Sequence, residues 1–162
     1  MFKKILALCL VVIMIAAVGV SMVSCGGAAD DDFKLGVILL HDEASTYDLN
    51  FIEAVERAAA QLGLSKDQVI YKKNIPESND CYEAAADLVD SGCDVIFADS
   101  FGHETYILKA AKEFTDVQFC HATGTMAHTE KLDNFHNAFA SIYEGRFLAG
   151  VAAGMKIGRA HV

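Results

Sequence analysis

Short uninterrupted apolar runs alternate along the chain with stretches in which apolar residues recur every three or four positions. Residues 34–40, KLGVILL, are nearly all apolar, as a strand buried on both faces requires. Ser45-Thr46-Tyr47-Asp48 offers a capping pattern, and Phe51, Ile52, Val55, Ala59 and Leu62 then follow helical spacing until Gly63 supplies a left-handed stop. Residues 68–73 read as a second, more polar strand suited to a sheet edge. Asp80, read as a cap, opens a helix with Glu83 three positions later; its apolar face is Cys81, Ala85, Leu88 and Val89, and it closes at Gly92. A third strand is expected over 94–98, a helix through Ile107, Leu108, Ala111 and Phe114, and a fourth strand over 117–120. After a loop bearing glycine and histidine, residues 134–140 make a fifth strand. Ser141 with Glu144 forms a capping box for a last helix through Tyr143, Phe147, Leu148, Val151 and Met155, whose Gly150 and Gly154 are expected to pack closely on the sheet. Strands alternating with helices call for right-handed crossovers, so the expected class is α/β, a parallel sheet flanked by helices.

The first 24 residues depart from this pattern. Lys3 and Lys4 precede sixteen uncharged residues from Ile5 to Val20, and Met22-Val23-Ser24-Cys25 sets small residues before a cysteine. The layout resembles a bacterial lipoprotein signal over residues 1–24, which implies cleavage before Cys25 and lipidation of its thiol. The apolar run falls short of the roughly 18–20 residues of a membrane span, and an uncleaved anchor would also leave the rest of the chain outside the cytoplasm. Residues 25–33 read as a lipidated, flexible, acidic tether. Residues 157–162, IGRAHV, match one reading frame of a sequencing adapter and are expected to be a processing artefact. One folding unit, residues 34–156, remains.

Composition narrows the function. With 53% apolar residues in 162 the chain is not a disordered segment. Its 22 acids against 13 bases, net −9, remove nucleic acid as an expected partner, because phosphate binding needs a concentrated basic face. The signal carries two of the lysines and none of the acids, so the expected mature chain holds 11 bases against 22 acids, net −11. Of five cysteines, Cys9 lies in the signal and Cys25 takes the lipid. Cys81, Cys93 and Cys120 read as small buried hydrophobes, with a Cys81–Cys93 bridge compatible with an oxidising compartment.

An open parallel sheet binds ligands outside the carboxyl ends of its strands. The residues there are polar: His41-Asp42-Glu43 after the first strand, Asp99-Ser100-Phe101-Gly102-His103 after the third, and His121-Ala122-Thr123-Gly124 after the fourth. Acids accept from hydroxyls and Phe101 or Tyr47 can stack on a ring, a combination suited to a polyhydroxylated ring compound. Asp42 and Asp99 also resemble the acids of a phosphoacceptor receiver domain, but a cytoplasmic phosphodonor would not reach an exported chain. His121 and His128 raise a zinc reading without any H-x₃₋₅-H spacing to support it. G-x-S-x-G and glycine-rich phosphate loops are absent, so no enzyme motif is found.

The segments KLGVILLHDEASTYDLNFIEAV, DVIFADSFGHETYILKAAKEFTDVQFCHATG and FHNAFASIYEGRFLAGVAAGMK together resemble the basic membrane protein family of substrate-binding lipoproteins, which includes purine-nucleoside receptors and serves ABC importers. The resemblance implies two Rossmann-like lobes of the type I periplasmic-binding-protein fold, joined by a hinge and closing on a ligand. Residues 34–156 would be the N-terminal lobe, with the second lobe missing. It implies a nucleoside or related small molecule as ligand, a permease and ATPase as partners, anchoring by lipid to the outer face of the cell membrane, and neither cofactor nor metal. Carried over onto matching positions, it implies ligand contacts from Asp42, Tyr47, Asp48, Ser100 and Phe101, with His121 and Thr123 shaping the pocket. Tyr47-Asp48 stands where the family often has Phe-Asn, which leaves the preference for purines open. A ligand-sensing surface lipoprotein without a transport role, or a zinc-binding lipoprotein, is the alternative.

Overall fold

The computed structural model describes residues 32–157. The expected signal, Cys25, most of the tether and all but the first residue of the expected adapter segment lie outside them. Strands β1 (Leu35–Ile38), β2 (Val69–Lys72), β3 (Val95–Ala98), β4 (Gln118–Ala122) and β5 (Phe135–Ala138) form one parallel sheet in the order β2-β1-β3-β4-β5. Helices α1 (Thr46–Leu62), α2 (Asn79–Asp90), α3 (Glu104–Glu113), α4 (Ala127–Glu130) and α5 (Ile142–Ile157) connect or follow them.

The larger core lies on the face covered by α2 and α3, where Ile38, Ile96 and Phe119 of the central strands meet Cys81, Leu88, Ile107 and Ala111. Alternation along the strands sends Val37 and Leu39 to the other face, against Ile52 of α1 with Phe51, Val55 and Phe97 around them. At Gly36 a Cβ would stand 2.9 Å from Leu88 Cδ1, so the missing side chain lets α2 settle onto β1. Asn134 fastens the end of α3 to β4 by donating from Nδ2 to the carbonyls of Ala111, Phe114 and Val117. Cys81, Cys93 and Cys120 are free thiols, the first two buried and the third half-buried.

Helix ends follow local chemistry. Ser45 caps α1 by accepting from the Asp48 amide, and Gly63 ends it at φ 74°. The cap of α2 is Ser78 rather than Asp80: its Oγ accepts from the Asp80 amide at 3.3 Å, placing Asp80 inside the first turn. Helix α3 starts at Glu104, and α4 forms in what the pattern shows only as loop.

Helix α5 departs from expectation most. Its Gly150 and Gly154 do not pack on the sheet, since a Cβ on either would meet nothing within 4 Å. Tyr143, Phe147, Leu148, Val151 and Met155 are all exposed, Met155 to 80%. The helix carries apolar residues round most of its circumference, so it has the composition of a buried helix without a partner among the described residues.

Candidate functional site

In a doubly wound sheet of order 2-1-3-4-5 the strand order reverses between β1 and β3, and the crevice outside their carboxyl ends is the expected ligand position. The loop after β1, the first turn of α1, the loop after β3 and the loop after β4 converge there. Between them and the β5–α5 connection runs a groove of about 610 Å³ lined by Tyr47, Asn50, Phe51, Thr123, Phe139 and Ile142 among others.

Tyr47 stands in the first turn of α1, and its hydroxyl donates to the Asp99 carbonyl at 2.9 Å. Its ring meets Phe51 edge-on at 5.0 Å, and Phe51 continues to Phe97 at 5.5 Å, so an aromatic file runs from the sheet to the groove. Thr123 lines the same groove and adopts φ 65°, a left-handed conformation costly for a β-branched residue. It is held there by its amide on the Ala138 carbonyl at 2.9 Å and its hydroxyl on the Ala122 carbonyl at 2.6 Å.

Asp42 builds the loop after β1. Its Oδ1 accepts from the Ala44 amide at 2.9 Å and its Oδ2 from Asn74 at 3.4 Å, and these bonds, the amide foremost, hold its carboxyl below the usual value. Asp48 is fully buried, with Oδ1 accepting from the His41 amide at 2.8 Å and Oδ2 facing His41 Nδ1 at 3.2 Å.

Ser100 is also buried, its hydroxyl donating to Glu77 Oε1 at 2.6 Å. The same oxygen accepts from the Gly102 amide at 2.9 Å, and a Cβ on Gly102 would overlap the Glu77 carboxyl group. Glu77 therefore clasps both sides of Phe101, which projects 69% exposed. Phe101 makes no ring pair with Tyr47 among the described residues. The Ser100 hydroxyl and then the Gly102 amide depress the Glu77 carboxyl.

His121 is buried with Nε2 donating to the Ser100 carbonyl at 2.6 Å, and His103 likewise to the Ile75 carbonyl at 2.9 Å. Burial lowers both pKa values, so each ring is neutral and leaves Nδ1 as an acceptor with no hydrogen-bond partner among the described residues. Glu104 Oε1 accepts from the Met126 amide at 2.7 Å and from Asn137 at 3.1 Å, and it crowds Gly124 so closely that a Cβ there would overlap it. No three His, Cys, Asp or Glu side chains among the described residues are placed to hold a metal ion.

Of the five expected contacts and two expected pocket-shaping residues, then, Tyr47 and Thr123 share the groove, and Phe101 is exposed without lining it. Asp42 shapes a loop, while Asp48, Ser100 and His121 lie beneath the rim. Glu77 and Glu104, which pin the rim loops, carry no sequence signal beyond an acid shortly after a strand or at a helix start. A second groove of about 590 Å³, lined by Glu56, Ala60, Lys66 and Tyr71 among others, lies beside the amino end of β2, away from the strand reversal.

The family model described as ABC transporter substrate-binding protein PnrA-like matches residues 36–161. A purine-binding protein of Brucella abortus is 32% identical over 143 residues, covering 86% of this chain and 39% of its own length. A protein of Haloferax volcanii named provisionally as an ABC transporter glucose-binding protein is 39% identical over 62 residues, 38% of this chain and 15% of its own. An ABC transporter solute-binding protein from Conexibacter woesei superposes with TM-score 0.56 at 21% identity, over 66% of this chain and 35% of that one, a likeness of fold. The chain spans well under half the length of each of these proteins. No helix among the described residues is long and apolar enough to cross a membrane.

Proposed function

The chain belongs to the PnrA-like family of ABC transporter substrate-binding proteins, and from that membership we propose that it is one lobe of an exported receptor for a nucleoside or related small molecule. Capture is the activity, and no chemical step on the ligand is invoked. Cys25 carries the lipid that holds the receptor on the outer face of the cell membrane, and a permease with its ATPase takes the ligand onward.

The observation that carries this reading is the groove at the β1/β3 reversal, walled by Tyr47, Phe51 and Phe139 and edged by hydroxyl and carbonyl groups. A flat heterocycle can lie against Tyr47 or Phe101, and the ribose hydroxyls can bond to the loops after β3 and β4. The 32% identity to a purine-binding protein favours a purine base over other rings. The groove is open on one side, and α5 leaves the lobe with its apolar surface bare. Residues 34–156 are read as the N-terminal lobe, with α5 at its carboxyl end as the element whose apolar surface the second lobe covers. A ligand touching both lobes then stabilises the closed form, which is how binding becomes a signal to the transporter.

The test is equilibrium dialysis of the full chain against adenosine, inosine, adenine, riboflavin and glucose. One lobe makes part of the contacts, so retention of a purine compound is expected in the millimolar range, about −4 kcal/mol, and Tyr47→Ala abolishes it. Retention of glucose but no purine would move the ligand class to sugars, as the Haloferax relative suggests. Submicromolar binding of any compound by this chain would contradict the two-lobe account.

A further inference from the structure

Two carboxyl groups lie wholly buried beneath the crevice, where ionising both is costly. Asp99 follows the end of β3 and Asp48 stands in the first turn of α1; the amides of the adjacent residues Leu40 and His41 donate to Asp99 Oδ1 and Asp48 Oδ1 respectively, and each carboxyl acts on the protonation of the other. A bond between the two carboxyl groups needs a proton on one of them, because two ionised carboxylates carry no donor. The donors around them are unequally shared. Asp48 receives the His41 amide at 2.8 Å, faces His41 Nδ1 at 3.2 Å and is reached by the Ser45 hydroxyl as well. Asp99 Oδ1 receives the Leu40 amide at 3.2 Å, whereas no group among the described residues donates to its buried Oδ2.

We infer that Asp99 keeps a proton on Oδ2 and donates it to the Asp48 carboxylate, so that one shared proton clamps the end of β3 to the start of α1 and positions Tyr47 over the crevice. Oδ2 then has a partner, and the pair carries one negative charge instead of two. Burial and the neighbouring Asp48 push the Asp99 carboxyl up to about 7, against the opposing Leu40 amide. Burial pushes Asp48 up too, but the donors from Ser45, His41 and Asp99 outweigh it and hold Asp48 below its ordinary value. The other titratable groups facing the pair are His41 on the loop after β1, Tyr47 on α1 and Cys81 on α2, with His103 at the start of α3 acting on Asp48 and Glu77 acting through His41. Tyr47 enters because its hydroxyl donates to the Asp99 carbonyl, making Asp48 and Asp99 positioning residues under the aromatic wall.

The inference takes from the proposed function only the identity of the crevice, and its test uses no ligand, so either can fail alone. In a carbon-13 NMR titration of the full chain, the Asp99 carboxyl carbon is expected to titrate with a midpoint near 7, and Asp48→Asn lowers that midpoint. Thermal melting supplies a second readout. A carboxyl raised in the fold from 3.8 to about 7 contributes stability that is full below 3.8 and is lost as pH rises to about 7. Asp99→Asn cannot ionise and still offers an N–H to Asp48, so its Tm gains on the wild type across that interval and runs parallel to it above. Asp99→Ala, which offers no donor, melts below Asp99→Asn at every pH. An Asp99 midpoint in the ordinary carboxyl range, or an Asp99→Asn difference that does not change with pH, would overturn the inference.

Discussion

At the scale of single residues, the crevice is held by groups that do not face it. Glu77 is the clearest case, since one oxygen satisfies both the Ser100 hydroxyl and the Gly102 amide. Glu77→Ala leaves both without that partner and is expected to cost about 1–2 kcal/mol, near the lower end because the residue is partly solvated. Amide exchange at Gly102 should quicken with it, whereas unchanged exchange would mean that Glu77 does not hold the loop. The buried imidazoles of His103 and His121 set an acid limit. Their folded pKa values are depressed by burial, so the unfolded chain takes up protons first and stability is lost as pH falls below the ordinary histidine value of 6.5. Melting curves of His121→Gln against the wild type should show the wild type losing ground below that point. Residue roles were the least legible part of the sequence. Position after a strand marks the crevice end of the sheet, but Asp48 lies in the first turn of α1 and His121 within β4, which runs two residues past the expected 117–120, and the direction in which each side chain turns depends on partners far along the chain, such as Glu77 for Ser100. Thr123, by contrast, lines the groove through a backbone conformation that no local pattern announces.

At the scale of elements, the alternation of apolar runs and helical periods sufficed for all five strands and the four long helices, because burial dictates both periodicities. The misreadings are local or tertiary. Ser78 outcompetes Asp80 as a cap because it stands one position before the first helical residue, where its oxygen reaches the amides. Helix α4 is one turn, held by bonds from its own loop and by Asn137 accepting from the Ala127 amide, and is too short to show a period. Helix α5 was legible as a helix but not as an unpacked one, since amphipathicity tells that a face is buried and not by what. If α5 contributes nothing to the core of this chain, Phe147→Ala changes stability by no more than about 0.5 kcal/mol, while Phe119→Ala, in the core between β3 and β5, costs about 3–5 kcal/mol. Equal losses in urea melts would place α5 in the core after all.

At the scale of the whole molecule, a parallel sheet, a strand reversal and an aromatic groove come together at one end of the folded unit, where ligand capture is proposed. The central claim is that this crevice receives the ligand. Amide chemical-shift mapping tests it most directly, because it reads weak binding and location together. As a purine nucleoside is titrated into the isotope-labelled chain, shifts should concentrate at Tyr47, Phe101 and Thr123 and vanish in Tyr47→Ala. Shifts gathered instead at Glu56, Ala60 and Tyr71, or spread without a centre, would contradict the account.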